Sequence, residues 1–295
     1  MKIIFNSKFL MHNQQNWAAG SYLLEHFPKK YGNTDVNGES YITLVHTEEH
    51  KKSIYNACIN GDTVAESLLS PDSYEAAISA VGLTIMASEQ GDFAVVRPPG
   101  HHADRERAAG LCLFNNIAIA TQKLVNEGKK VFIFDFDGHH GDGTQSIFYN
   151  SNRVFFCSVH QLFAYPFSGF ANEKGSGKGT GFTLNLPLMA GSGDKEFLDA
   201  LHIAITAAMR FNPDVVGVSA GFDGYEKDSL LLLKYTKKAY YECGLRLRRT
   251  FPIVFGVLEG GYHNELLECV EAFVEGVNVG ARPRKTMFDS DMSLG

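Results

Sequence analysis

The stretch Val131-Phe132-Ile133-Phe134-Asp135-Phe136-Asp137-Gly138-His139-His140-Gly141-Asp142-Gly143 joins an apolar run to three aspartates and two histidines packed into eight positions. A short apolar run bounded by polar residues and glycine predicts a buried strand. Carboxylates and imidazoles crowded at its end resist burial unless a cation is shared among them. One Asp-His pair alone would read as a solvated loop. The alternation of Asp135, Asp137 and His139, the paired histidines and the flanking glycines, all at a strand's carboxyl end, point instead to a divalent-metal site.

On either side of this run, strand and helix patterns alternate. Strands are predicted at residues 2–5, Phe93 to Val96, Val131 to Phe134, Val154 to Val159, Phe182 to Leu186, Val215 to Ser219 and Ile253 to Leu258. Helices are predicted around Trp17 to Phe27, at Lys51 to Ile59 and Thr63 to Leu69, and from Pro71, where Tyr74, Ala77, Ile78, Val81 and Ile85 share a face. Further helices follow at Asn115 to Asn126, Asp142 to Tyr149, Asp194 to Phe211, Thr236 to Arg249 and Asn264 to Val277. This alternation predicts an α/β fold: a doubly wound parallel sheet with helices on both faces, three-layer αβα. No linker or repeat divides residues 1–295, which read as a single domain with a polar tail after Arg282.

Composition narrows the function. The 295 residues carry a net charge of −6, and their 27 Lys and Arg form no block, which argues against a nucleic-acid partner. No apolar run is long enough for a bilayer span, so no membrane role is expected. Five cysteines without C-x-x-C spacing, all in apolar contexts, predict reduced thiols and a cytoplasmic protein.

In open parallel sheets, sites form beyond the carboxyl ends of the strands. Here those ends carry Arg97-Pro98-Pro99-Gly100-His101-His102, the Asp135 run, Ser158 and His160, Ser219-Ala220-Gly221-Phe222-Asp223, and Glu259-Gly260-Gly261-Tyr262-His263. A tandem histidine pair after a rigid turn can divide acid and base roles between two rings held by different carboxylates. Tyr262, behind two glycines, is placed to donate to a developing oxyanion. Gly175-Ser176-Gly177-Lys178-Gly179-Thr180-Gly181 lacks the order of a phosphate loop, and the Asp135 run lacks the spacing of an EF-hand.

Together these segments, with Asn115-Asn116-Ile117-Ala118 and Leu258-Glu259-Gly260-Gly261-Tyr262, resemble the histone deacetylase superfamily, which includes the acetylpolyamine amidohydrolases. The match runs from about Tyr41 to Tyr262. The resemblance implies an arginase-like fold and a zinc-dependent amidohydrolase that removes an acetyl or other acyl group from a primary amine. It implies Asp137, His139 and Asp223 as zinc ligands; this oxygen-rich set also suits Fe2+, Co2+ or Mn2+. Asp135 and Asp142 would orient His101 and His102, and a structural potassium ion would lie among Asp135, Asp137, His139, Ser158 and Val159. In the implied hydrolysis His102 serves with the metal as base, one histidine of the pair, His102 ahead of His101, as acid, His101 mainly as an electrostatic partner, and Tyr262 as oxyanion donor.

The chain also departs from the pattern. Leu111 follows Gly110 where the family often has an aromatic, so one tunnel wall is aliphatic and Tyr165 is expected to face it. The entrance segment reads Met11-His12-Asn13-Gln14. Leu230 stands where a polyamine-selective branch has a glutamate, with Glu226 or Asp228 as partial substitutes. One rival, a binuclear manganese ureohydrolase, is disfavoured because Gly141 stands where a second metal needs a carboxylate. The other is a catalytically silent acyl-amine binding protein, disfavoured by the full complement of His101, His102, Tyr262 and the three ligands.

Overall fold

The computed structural model describes residues 1–12 and 20–281. Its centre is a seven-stranded, wholly parallel sheet. The strands are β1 (Ile3–Phe5), β4 (Phe93–Val95), β5 (Val131–Asp135), β6 (Val154–Gln161), β7 (Thr183–Leu188), β8 (Val215–Ala220) and β9 (Val254–Leu258), in the order β1-β4-β9-β8-β5-β6-β7. A strand covered on both faces has no solvent side to alternate with, so it reads as an apolar run. All five residues of β5 are buried accordingly.

The helices are α1 (Phe27–Tyr31), α2 (Glu48–Asn60), α3 (Pro71–Gln90), α4 (Asn116–Asn126), α5 (Asp142–Phe148), α6 (Asp194–Phe211), α7 (Lys237–Thr250) and α8 (Leu266–Gly280). They flank the sheet in an αβα arrangement. α3 and α4 pack on β4, β5, β8 and β9; α6 packs on β6 and β7, and α7 lies against α6 and α8. Local chemistry sets the boundaries. Pro71 opens α3 behind a Ser70–Ser73 capping box, and Gly91, with φ of 72°, ends it. The Asn115 side chain caps α4 by accepting from the Ala118 amide at 3.0 Å.

One element differs from its sequence reading. Residues 63–69 are not helical: β2 (Thr63–Val64) and β3 (Ser67–Leu68) form an antiparallel hairpin. Its two connecting residues, Ala65 and Glu66, both have positive φ, 48° and 60°. That backbone matches the right-handed strand twist of a tight hairpin, but it is normally built from Asn and Gly. The expected helix beginning near Trp17 is replaced, over its described part, by a 3-10 turn at Ser21–Leu24 and by α1. Trp17, Asn13, Gln14 and the tail after Arg282 lie outside the described residues.

From β5 the chain moves outward to β6 and β7, then returns across β5 to lay down β8 and β9 on its other side. The order therefore reverses between β5 and β8, and the crevice of such a sheet opens at that reversal. Asp135 of β5 is in register with Ser219 of β8 and Ser158 of β6. The loops leaving β5 and β8 start within one residue of that level, whereas β6 runs on to Gln161.

Candidate active site

Asp137 and His139 leave β5 and meet Asp223, which follows β8. One ligand atom from each lies within 4.8 Å of the others, the one such group found among the described residues. Main-chain amides hold the carboxylates. Asp137 accepts from Gly260 N at 2.7 Å and His139 N at 2.9 Å, and Asp223 accepts from Gly138 N at 2.7 Å. The His139 Nδ1 faces both, 3.2 Å from Asp137 and 2.6 Å from Asp223. The glycine at 260 is required by space: a Cβ there would stand 2.6 Å from the Asp137 Oδ2 and 2.9 Å from the Asp223 Oδ2.

The electrostatics call for a cation. Both carboxyl groups are buried, and the ion pairs they make are with histidines. Burial would lower the proton affinity of His139, but the Asp223 and Asp137 charges outweigh it and raise it to about 10. Burial, then the Asp137 charge, pushes Asp223 up to about 7. A divalent ion would take over the neutralising work of these protons, and two carboxylate oxygens with one imidazole nitrogen suit zinc while leaving positions open.

His101 and His102 follow the Pro98-Pro99-Gly100 turn after β4. His101 Nδ1 is 3.1 Å from the buried Asp135 carboxylate, and His102 Nδ1 is 2.7 Å from Asp142 at the start of α5. The expected His-carboxylate pairings are thus both present. The turn is fixed from below by Glu259, whose Oε2 accepts from Gly100 N at 2.7 Å and His101 N at 3.1 Å. Its Oε1 accepts the Ser219 hydroxyl at 2.9 Å. Asn115 adds a further tie by donating to the Ala103 carbonyl at 2.8 Å.

Tyr262 closes the other side. Burial, then the Asp137 and Asp223 charges, hold its phenol well above its ordinary value, so it keeps the proton it would donate. Asp228, proposed from sequence as a rim carboxylate, is turned inward instead. Its Oδ2 accepts from Tyr262 N at 2.7 Å and its Oδ1 from Leu230 N at 2.9 Å, so it orients the tyrosine loop. Glu226 is exposed and absent from the cavity lining.

A cavity of about 240 Å3 rises from these groups. Gly110, Leu111, Tyr165 and Leu230, the four expected tunnel residues, line it together with His102, His139 and Tyr262. The Tyr165 ring stands 5.1 Å from His102 and 6.4 Å from His139, centroid to centroid. The eighth lining residue, Glu66 at the tip of the β2–β3 hairpin, was not anticipated. Leu111 N donates to Ala65 O at 3.1 Å, which ties that tip to the tunnel wall. Ser158 and Asp135, given to potassium by resemblance, sit side by side in register, and both are buried. All five cysteines are free and buried. Among the described residues no helix is long and apolar enough to cross a membrane.

The histone deacetylase domain family matches residues 22–277. Histone deacetylase 10, chloroplastic, of Oryza sativa subsp. japonica is 43% identical over 245 residues, covering 79% of this chain and 55% of the rice protein. The acetylpolyamine amidohydrolase of Mycoplana ramosa is 38% identical over 208 residues, covering 67% of this chain and 61% of that protein. The chain thus spans just over half the length of these curated relatives. The crystal structure of the HDA15 HD domain superposes with a TM-score of 0.86 at 29% identity, covering 95% of this chain and 88% of that one. The chain belongs to the histone deacetylase domain family.

Proposed function

We propose that this protein is a zinc-dependent deacetylase that hydrolyses the amide of an acetylated primary amine. The observation that carries the reading is the convergence of Asp137, His139 and Asp223 at the foot of a cavity walled by His102 and Tyr262. Zinc held by those three residues would supply Lewis acidity toward the acyl carbonyl and lower the proton affinity of the attacking water. With Nδ1 bonded to Asp142, His102 presents Nε2 as the free base that takes the water proton. Tyr262 donates its hydroxyl proton in a hydrogen bond to the developing oxyanion. His102 then returns its proton to the departing amine, while His101, paired with Asp135, contributes a fixed positive field. The buried Asp135 carboxylate beside Ser158 supports a structural potassium ion held by Asp135, Asp137, His139, Ser158 and Val159.

For the substrate, the aliphatic and aromatic walls suit an extended alkyl amine, and Glu66 at the mouth suits a second positive charge on it. This favours an acetylated polyamine or a cationic acetyl-lysine peptide over a neutral aminosugar. The buried free cysteines support a reducing compartment, the cytoplasm. The test is acetate release by zinc-loaded protein from acetylated polyamines, acetyl-lysine peptides and acetylated aminosugars, ranked by kcat/KM. Cationic amines should lead, and chelation should abolish turnover. Absence of acetate release across the panel, or urea release from guanidino compounds, would refute the proposal.

A further inference from the structure

Tyr165 forms a tunnel wall, yet it rides on a loop with little apolar anchorage. Phe163 and Phe167 on either side are 71% and 70% exposed. Both have φ of 62°, a left-handed backbone that bulky residues rarely adopt. Something other than hydrophobic burial must hold this loop, and the anchors present are polar. Glu173 Oε1 accepts from Gly169 N at 3.1 Å and Phe170 N at 2.9 Å, while its Oε2 accepts from Gln145 Nε2 at 2.6 Å.

The partners fix the remaining donors. Because Gln145 donates through Nε2, its Oε1 is the acceptor for Asn185 Nδ2 at 2.7 Å and for His140 Nε2 at 3.1 Å. His140 therefore carries its proton on Nε2, and its Nδ1 accepts the Ser168 hydroxyl at 2.8 Å. The Gly169 carbonyl can only accept, so His160 donates to it through Nε2 at 3.0 Å. The loop is thus bonded at Ser168 to His140, at Gly169 to His160 of β6, and at Gly169 and Phe170 to Glu173, which Gln145 of α5 holds in turn. There is no slack: a Cβ on Gly169 would stand 2.6 Å from the His140 ring.

We infer that Glu173 is a positioning residue for substrate selection, clamping this loop so that Tyr165 stands over His102 at the tunnel mouth. Its effect on binding rests on the acetyl-amine reading above; its effect on the loop does not. A glutamine at 173 can still accept both loop amides, but it offers a second N–H toward the Gln145 amide, whose oxygen is already committed. Disruption should therefore be graded, with Glu173→Ala more severe than Glu173→Gln.

The experiment pairs kinetics with amide hydrogen exchange on zinc-loaded wild type, Glu173→Ala, Glu173→Gln and Ser168→Ala. In Glu173→Ala the Gly169 and Phe170 amides should lose protection. KM for the best acetylated amine should rise about tenfold, with kcat within about threefold and the zinc content unchanged. Glu173→Gln should fall between, and it serves with Ser168→Ala if the alanine variant fails to fold. Unchanged exchange at Gly169 and Phe170 overturns the clamp whatever the activity. Lost protection with unchanged KM, or a loss confined to kcat, overturns the role in selection. If the wild type releases no acetate, the reaction assignment fails, and the clamp stands or falls on exchange alone.

Discussion

The rings of His101 and His102 lie 4.0 Å apart, centroid to centroid, yet their surroundings shift their proton affinities in opposite directions. Burial disfavours charge on His101, but the Asp137 and Asp135 carboxylates outweigh it and hold its proton affinity well above the ordinary value. Burial and then the charge on His101 lower His102 to about 4, against the pull of Asp142. Proton binding is thus favoured on His101 and disfavoured on His102.

The pH dependence follows with a definite sign. Above about 4 the His102 Nε2 lone pair is free; as pH falls through that value the ring protonates and the base is lost. The acid limb of kcat/KM should therefore lie well below the ordinary histidine range near 6.5. Replacing His102 by Ala should lower kcat by about 10²–10⁴ with zinc still bound. An acid limb near 6.5, or a His102→Ala enzyme of normal turnover, contradicts the assignment.

Tyr262→Phe tests the oxyanion donor. The ring and its loop, bonded through Tyr262 N to Asp228, remain, and only the hydroxyl is removed. A donor that acts on charge developing in the transition state should cost about 10²–10³ in kcat and little in KM. Equal kcat in the two enzymes would exclude the role.

Removing a ligand should uncouple zinc from stability. Without metal, Asp223 and Asp137 both lean on the His139 Nδ1. Zinc binding to the folded state should raise the wild-type melting temperature, while Asp223→Ala should bind no zinc and show no such rise. Stoichiometric zinc in Asp223→Ala would remove Asp223 from the ligand set.

Much of this was legible in sequence, because β5 is apolar throughout and its polar end is compact. What escaped the sequence depends on backbone or distance. Ala65 and Glu66 carry no turn signal, so the hairpin that brings Glu66 to the mouth was read as a helix; its left-handed backbone is held by tertiary contact. Glu259 meets the His101 turn across 158 positions, and no spacing rule reaches that far. Asp228 looked like a rim charge because its loop is polar, whereas its two acceptor bonds to Tyr262 and Leu230 turn it inward.

Glu259 gives a fourth prediction. Its carboxylate is the acceptor for two amides of the histidine turn, and truncation leaves those donors buried without partners. Glu259→Ala should lower both kcat and melting temperature. Glu259→Gln, whose oxygen can accept both amides while its N–H2 meets Ser219, should recover most of each. Equal loss in both variants would mean that charge, rather than anchoring, is what matters.

Acid stability gives the last. His12, His46 and His160 are buried, and each is lowered to about 3, by burial first and then by Arg97, His50 and His140 respectively. The unfolded chain protonates them near 6.5, so between that pH and about 3 it binds protons the native state does not. The contribution of these three histidines to stability is therefore full above 6.5 and falls as pH drops, by up to about 1.4 kcal/mol per pH unit for each. His46 isolates the effect, because its Nε2 accepts from Asn115 N at 2.9 Å, a bond that a glutamine oxygen can replace without titrating. Denaturant melts of wild type and His46→Gln between pH 7 and 5 should show a shallower decline in the variant. Parallel declines would mean that His46 is protonated in the folded protein as readily as in the unfolded one.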